Sequence, residues 1–532
     1  MIRALDGLAL ALGALVVSTL AVAWWRPEEV FLAFLAIVGL RVVLRPYRIP
    51  AWRPERVVAG GVLGYAALLS FVTVTRHWAF QTHALDLGQY VQILWSLGRD
   101  LRGPYTSLPE MHAWGDHFSP TLYLLAPPFA VFPSPVFLLV AQSVFLALGA
   151  LPVYALARRR LGSDGSAAGF ALLYLVNPTL HGVNLRDFHP AVLAIPLLLT
   201  AVYCLEAGRT GWLVLTVLLT LGCREDAALG VVGLGLWAAL ARRRRVLGLA
   251  LAGGSLAVLF FDTQVLMPYL RDGPYPHLWR YAHLGGSLGE IIVNMLLHPL
   301  RTLGFMVSVK KLLYLLALLA PLGFLPLLAP LELLPALPTL AHNLVSLDRV
   351  LFHYRSQYNA FVLPFLVLAA VSGYRQLSPQ VRMIGRPVRG LALGLAFLMS
   401  LVLTSRTLND LAVDRWWLGE RQRAAYRVLA QVPPGASLST HERLLPHVAL
   451  RPKVFVFPVG IEKSDYVLID GTLFPDRHVP ELRVERQGGE VTLTLPGAEG
   501  LARFRYDVVG EAEGYWLLRR QAARKALRAK IG

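Results

Sequence analysis

Apolar runs of roughly 15–20 residues, the length that crosses a bilayer, recur along the first 408 residues. Examples lie at 8–24, 57–74, 136–156, 246–266 and 312–328. Two kinds of polar segment separate them. One kind is rich in arginine: Arg41 to Arg56, Arg158-Arg159-Arg160, Arg242 to Arg245, and Arg375 to Arg389. The other mixes carboxylates, imidazoles and aromatics. Placing the arginine-rich segments on the cytoplasmic side predicts spans near 7–25, 29–45, 57–77, 135–157, 166–183, 190–207, 211–222, 226–241, 246–266, 310–328, 329–346, 359–373 and 390–408. That is an all-α polytopic bundle of about 13 transmembrane helices, with the N-terminus cytoplasmic and the C-terminal part extracytoplasmic. Segments 78–134, 184–189, 267–309 and 347–358 then share the outer face, with Lys310 and Lys311 as an exception there. The two short apolar segments around Cys223 predict a tight hairpin that does not fully cross.

The pattern changes after residue 408. Glu420 to Val432 reads as an amphipathic helix, and Pro433-Pro434-Gly435 as a turn. Residues 437–440, 454–457, 466–469, 491–495 and 504–509 read as short strands. Residues 519–530 read as a basic helix. The expected organisation is a transmembrane domain over 1–408, whose outer loop 78–134 carries the candidate acid, and a small soluble extracytoplasmic α/β domain over 409–532.

Composition supports the membrane reading. The chain is 55% hydrophobic, with a mean hydropathy of +0.53, whereas soluble domains average about 45–50% apolar residues. Residues 1–25 mimic a signal peptide through Ala21-Val22-Ala23, but the many later spans make an uncleaved first helix the expectation. The formal charge of +18 sits largely in the short basic loops. This distribution points to topology and anionic lipid rather than to nucleic acid. Cys204 and Cys223 lie in apolar segments, without metal-type spacing or an evident disulfide role.

The candidate chemistry lies in the outer segments. In Asp86-Leu87-Gly88-Gln89-Tyr90-Val91-Gln92-Ile93-Leu94-Trp95, Asp86, Gln89 and Tyr90 share a helix face. Asp86 can be an N-cap with Gln89 closing a capping box. It can equally be an acid at the membrane interface, able to take a proton from a sugar-like hydroxyl. Further on, Glu110, His112, Asp116 and His117 precede Ser119-Pro120, where Ser119 reads as an N-cap and Pro120 as the first helical residue. Asp116 and His117 can bind a metal, pair with each other or hold phosphate; no zinc-type spacing selects among these.

Arg186-Asp187-Phe188-His189-Pro190 forms an outer turn. Arg224-Glu225-Asp226 lies between two apolar segments, where ionisable residues are functional candidates that usually pair. Loop 267–309 interleaves aromatics with cations, which suits either a lipid-phosphate surface or an interfacial belt. His353-Tyr354-Arg355 repeats the theme, and the planar guanidinium of Arg355 matches phosphate oxygens.

Taken in order, these blocks resemble the prokaryotic DUF2079 membrane-protein family. They are Asp86-Leu87-Gly88 through Gln92 and Trp95, His117-Phe118-Ser119-Pro120, Asn184 through Asp187-Phe188-His189-Pro190, Arg224-Glu225-Asp226, and His353-Tyr354. Arg224 stands where the family usually has lysine, which keeps the charge. That family is in turn similar to the GT-C glycosyltransferases, multi-span enzymes that take sugars from polyprenyl-phosphate carriers. The resemblance implies an integral membrane glycosyltransferase of the cytoplasmic (inner) membrane and cell envelope, moving a sugar from a polyprenyl-phosphate donor to an extracytoplasmic glycan, lipid or protein acceptor. In that scheme Asp86, Asp116 and His117 are catalytic. Gln89, Tyr90, Gln92, Trp95, Arg186, Asp187, His189, Arg224, Glu225, Asp226, His353, Tyr354 and Arg355 bind substrate. The resemblance makes no cofactor certain. Many GT-C proteins carry a second acid beside the first, and this chain has Asp86 alone at that spot, so use of a divalent cation (Mg or Mn) stays open. The rival expectation is a transporter or lipid flippase built around Arg224-Glu225-Asp226.

Overall fold

The computed structural model describes residues 1–22, 26–45, 52–101, 103–108, 110–383, 386–409, 417–473, 482–497 and 500–521. The chain is mostly helical, with a C-terminal sheet. It divides into two compact units. The first comprises Met1–Thr75, Trp114–Leu124 and Leu138–Trp416; the second comprises Arg76–Ala113, Leu125–Phe137 and Trp417–Gly532. The long loop after the third apolar helix is thus shared between the units.

In the first unit the apolar runs become helices, but fewer of them are long enough to span than hydropathy suggests. Among the described residues, six are long and apolar enough to cross a membrane: Ile2–Ala21, Pro54–Trp78, Pro135–Leu161, Pro190–Ala207, Arg245–Arg271 and Val388–Asn409. The bent pair Pro299–Met306 and Val309–Leu322 makes a seventh if counted as one span. The expected 13 are therefore not reproduced. Hydropathy measures apolar content, whereas a spanning helix also needs an unbroken run of backbone hydrogen bonds. Prolines interrupt that run. Pro321, Pro326, Pro330 and Pro335 cut residues 320–336 into three short 3₁₀ turns, Ala320–Leu322, Leu325–Leu328 and Pro330–Ala336. The segments flanking Cys223 are short helices, Thr210–Leu221 and Ala227–Leu240.

Small residues set a close helix contact. A Cβ on Gly235 would meet Ala252 N at 2.6 Å, and one on Gly248 would meet Ala239 N at 2.5 Å. Helices Ala227–Leu240 and Arg245–Phe261 therefore pack backbone to backbone along a four-residue spacing of small side chains.

All four arginine-rich segments share one end of this unit. Arg159, Arg160, Arg242, Arg244 and Arg375 line one cavity, and Arg386 donates to Val43 O at 2.6 Å. The first prediction from charge patterning, a common face for the basic loops, has a structural counterpart in this grouping.

The second unit carries a seven-stranded mixed sheet in the order Val454–Val456, Leu438–Thr440, Tyr466–Asp470, Tyr515–Arg520, Gly500–Ala512, Glu490–Gly497, Arg483–Gln487. Leu438–Thr440 runs parallel to both its neighbours, and the remaining pairs are antiparallel. Alternating residues fill the core: Val467 and Ile469, Val491 and Leu493, with Tyr506 and Leu518. The expected amphipathic helix is Glu420–Leu429, which buries Ala424, Ala425, Val428 and Leu429. The basic helix expected over 519–530 is not found at its start, because Arg519 and Arg520 belong to the strand Tyr515–Arg520; residues 522–530 lie outside the described residues. Strand Arg483–Gln487 had escaped the sequence pattern because it is a polar edge strand with almost every residue exposed.

Candidate functional site

In the first unit, the segment Trp114–Leu124 is fastened to the turn after Thr210–Leu221. Thr121 donates its backbone N–H to Gly222 O at 2.8 Å and its hydroxyl to Leu219 O at 2.8 Å. This anchor lays His117 against the next turn. His117 Nδ1 donates to Glu225 Oε1 at 2.9 Å, Phe118 N to Glu225 Oε2 at 3.3 Å, and Tyr275 Oη to Glu225 Oε1 at 3.1 Å. The Glu225 side chain is 2% exposed, so its carboxylate is held by three protein donors rather than by water. Burial would raise its pKa, but the charge and hydrogen bond of His117, with Arg224 nearby, hold it well below the usual range. Burial likewise opposes charge on His117, and the Glu225 carboxylate outweighs it, raising that imidazole above its ordinary value.

His277 stacks on His117, with ring centroids 4.5 Å apart at 18°. Burial, then the neighbouring His117 charge, pushes its pKa down. Its Nε2 is buried without a hydrogen-bond partner among the described residues. Ser119 does not cap: its buried hydroxyl has no partner among the described residues, and Pro120–Leu124 is a 3₁₀ turn.

The triplet Arg224-Glu225-Asp226 splits its roles. Arg224 Nε donates to Asp226 Oδ1 at 2.6 Å, while Glu225 turns to His117. The guanidinium of Arg224 lies 4.5 Å from the Tyr358 ring centre, and that of Arg280 lies 5.2 Å from the same ring. Arg280 also pairs with Asp348 at 3.2 Å. Two arginines therefore converge on one tyrosine, each with a carboxylate partner.

A third group surrounds the turn after Pro178–Leu185. Gln142 Nε2 donates to Asp187 O at 2.7 Å, and Gln142 Oε1 accepts from His189 N at 3.1 Å. The buried amide thus sets a turn in which Asp187 takes a positive φ of 56°. Asp187 and His189 are buried and Arg186 is exposed. His353 is exposed at the surface, and its pKa is pushed down to about 4, first by desolvation and then by the positive charges of Arg186, Arg355 and Arg406. Three arginines from three distant segments therefore act on one imidazole. Tyr354 is buried, and its ring lies 5.3 Å from that of His353.

In the second unit Asp86 lies inside a π-helical turn, Ala84–Gly88, ahead of the helix Gln89–Leu97. The capping expectation fails there. Gly88 occupies the N-cap position of that helix, and no side chain caps it. Such wide turns leave the backbone ladder irregular and recur at functional sites. A Cβ on Gly88 would lie 2.7 Å from Leu445 Cδ2, so this turn packs closely on the segment Leu445–His447. Asp86 is partly exposed, and Gln89 and Tyr90 are buried.

Gln92 is 1% exposed and committed to the protein's own structure. Its Nε2 donates to Ser107 Oγ at 2.8 Å and Arg451 O at 3.0 Å, and its Oε1 accepts from Ser107 N at 2.8 Å. Arg99 stacks 3.6 Å over the Trp95 ring. Neither Gln92 nor the stacked face of Trp95 is open to a substrate in this arrangement, in contrast with the sequence expectation.

Residues 76–495 match the family described as "Predicted membrane protein (DUF2079)". The chain belongs to the DUF2079 family. No curated protein matches it. Among solved structures it is similar to ArnT from Cupriavidus metallidurans bound to undecaprenyl phosphate, with a TM-score of 0.52 and 13% identity over 87% of this chain and 98% of that one. The apo state of the same protein gives a TM-score of 0.49 and 12% identity over 86% and 98%. At this identity the likeness to the bound form shows the fold alone.

The DUF2079 match spans every group described above, and the structure adds members that the linear motifs had left out. Tyr275, His277 and Arg280 come from loop 267–309, where aromatics interleaved with cations suited a lipid-phosphate surface or an interfacial belt; Arg406 and Gln142 had no local signal of their own. Asp262 is a further one. It is 2% exposed, sits in a second π-helical turn, Asp262–Leu266, and its Oδ2 has no partner among the described residues. Asp116, His117 and His277 bring ligand atoms within 4.8 Å of one another. Because Nδ1 of His117 is bonded to Glu225, its Nε2 is the atom left for a metal, the arrangement in which a carboxylate orients a ligating imidazole. Two imidazoles and one carboxylate suit manganese or zinc better than magnesium, which prefers oxygen ligands.

Proposed function

We propose that this DUF2079 protein is an integral membrane glycosyltransferase that moves a sugar from a polyprenyl-phosphate donor to an acceptor outside the cytoplasmic membrane. The observation that carries the reading is the close packing of Arg355 on Gly182, one helical turn before Arg186, where the charges of Arg186, Arg355 and Arg406 all act on His353, in a chain whose fold is similar to that of a protein bound to undecaprenyl phosphate. Phosphate is the charged end of such a donor. Planar guanidinium groups are the side chains best matched to its oxygens.

The reaction needs a base, an acceptor oxygen and a stabilised leaving group. Asp86 takes the proton from the acceptor hydroxyl. That oxygen forms a bond to the anomeric carbon as the bond from this carbon to the carrier phosphate breaks, with inversion. The electron pair leaves on the phosphate oxygen, and Arg355 with Arg186 neutralises the charge that develops there. Such electrostatic stabilisation is usually the largest catalytic contribution. Asp116 and His117 orient the acceptor, with His117 held in place by Glu225. Residues 409–532 form the extracytoplasmic part that helps to bind the acceptor.

The test is incubation of purified full-length protein with labelled polyprenyl-phosphate sugars and a crude membrane acceptor pool. Label should move to an acceptor, and Asp86→Asn should abolish the transfer. The amide is nearly the same size, and no helix cap is lost because Asp86 does not cap. Full activity in Asp86→Asn removes the base assignment. Movement of labelled lipid across a proteoliposome membrane, without transfer, would replace the transferase reading with a flippase.

A further inference from the structure

A cavity of about 860 Å³ lies at the arginine-rich end of the first unit, away from the candidate site. Glu206 lines it, whereas His189 belongs to the site. His189 precedes the helical segment Pro190–Ala207 and Glu206 lies in its last turn, and 17 residues of helix separate two points by about 25 Å. Helices Ala227–Leu240 and Leu363–Gln376 likewise run from the site to this cavity, starting just after Asp226 and Tyr358 and ending by Arg242 and Arg375.

Five arginines and two glutamates line the cavity: Arg159, Arg160, Arg242, Arg244 and Arg375 with Glu206 and Glu332. The carboxylates are fully used. Arg160 pairs with Glu206 at 2.6 Å and with Glu332 at 3.2 Å; Arg242 pairs with the same two at 2.8 and 2.9 Å. Arg160 also donates to Ser372 Oγ at 2.8 Å and Leu368 O at 3.0 Å. This closed four-membered network forms a rigid, neutral floor. Arg159, Arg244 and Arg375 have no carboxylate partner among the described residues, although Arg159 reaches the Glu206 carbonyl at 3.1 Å. An excess of three positive charges therefore faces an open volume. The rim is apolar, with Leu328 47% and Leu331 63% exposed.

Topology alone requires basic residues in the loops, not their convergence from three loops onto one cavity with a preorganised floor. Concentrated like charge around a low-dielectric cavity raises the potential inside it and favours an anion there. Basic pockets between membrane helices suit acidic head groups. We propose that this cavity is a binding site for a phosphate-bearing dianion, separate from the candidate transfer site. The leucine rim favours a lipid head group whose chains leave over Leu328 and Leu331; a soluble diphosphate offers the same charged chemistry.

The experiment uses the full-length protein in neutral detergent with two probes, cardiolipin, followed by native mass spectrometry, and inorganic pyrophosphate, followed by thermal shift. Arg244→Gln and Arg375→Gln change exposed side chains without a carboxylate partner, so the fold should persist in each and in the pair. Arg245→Gln, on the same face but outside the cavity, is the control. Saturable cardiolipin binding that weakens about 10-fold or more in the pair, and not in the control, establishes a lipid head-group site. A pyrophosphate shift with the same dependence, without retained lipid, establishes a soluble-anion site. Binding of neither probe overturns the proposal, as does an equal loss in the control, which would reflect general membrane electrostatics.

Discussion

The carboxylate of Glu225 should hold the segment Trp114–Leu124 in place, and its removal can be given a magnitude. In Glu225→Gln, one amide oxygen can still accept from His117 and Tyr275, as Oε1 does now at 2.9 and 3.1 Å. Both bonds then lose the charge assistance that separates about 1.5–3 from about 0.5–1.5 kcal/mol. The amide NH₂ would face the Phe118 N–H, which now donates to Oε2 at 3.3 Å, and two donors cannot pair. An orphaned buried donor costs about 1–3 kcal/mol. A neutral amide is easier to bury than a carboxylate, which offsets part of this, so the expected net loss is about 2–4 kcal/mol. Glu225→Ala orphans all three donors and should cost at least as much. The assay is hydrogen exchange of residues 114–124 in the purified protein. Protection should fall by roughly 30- to 1,000-fold in Glu225→Gln, since each 1.4 kcal/mol is tenfold. Unchanged protection in both variants would refute the claim that Glu225 organises this segment.

The other predictions probe phosphate, protonation and topology. Arg355→Lys should weaken binding of a polyprenyl-phosphate lipid by about 10-fold, about 1.4 kcal/mol, because lysine cannot reproduce the bidentate fork; Arg245→Lys should change nothing, and equal losses would leave only surface charge. His447 stacks on His77 at 4.1 Å, and burial, then the charge of His77, holds its pKa well below the ordinary value. The unfolded chain then binds more protons, so the stability from neutral His447 is complete above about pH 6.5 and is lost as pH falls. Hydrogen exchange around Leu445–His447 should accelerate from pH 7.5 to 5.5 beyond its intrinsic change, and His447→Phe should reduce that excess, the remainder belonging to the buried His77 stacked on it; an unaltered excess assigns it elsewhere. Gln487→Cys lies on an exposed edge strand, while Cys204 and Cys223 are buried. An impermeant thiol reagent should label it in intact cells, and labelling only after lysis would reverse the proposed orientation.

Local pattern determined much of this protein. The apolar runs mark it as a membrane protein because burying a run of side chains in lipid is a property of composition. The alternation in 491–495 marks a strand because successive side chains face opposite sides of a sheet, and the short continuous apolar run 466–469 suits a strand covered on both faces. The ordered motifs pointed to the DUF2079 family, which the match over 76–495 establishes. Only the tertiary structure decided how those motifs are used. His117 and Glu225 are 108 residues apart in the chain, and their hydrogen bond has no local signature. Within Arg224-Glu225-Asp226, packing against His117 turned the middle residue away from its neighbours, which paired with each other. Arg406, read as part of an apolar span, joins Arg186 and Arg355 around His353 because its helix ends there. The span count also lay beyond composition, since prolines at 321, 326, 330 and 335 break the backbone within stretches that hydropathy reads as the spans 310–328 and 329–346. A sequence records which groups are available; which of them meet depends on the packing of segments far apart in the chain.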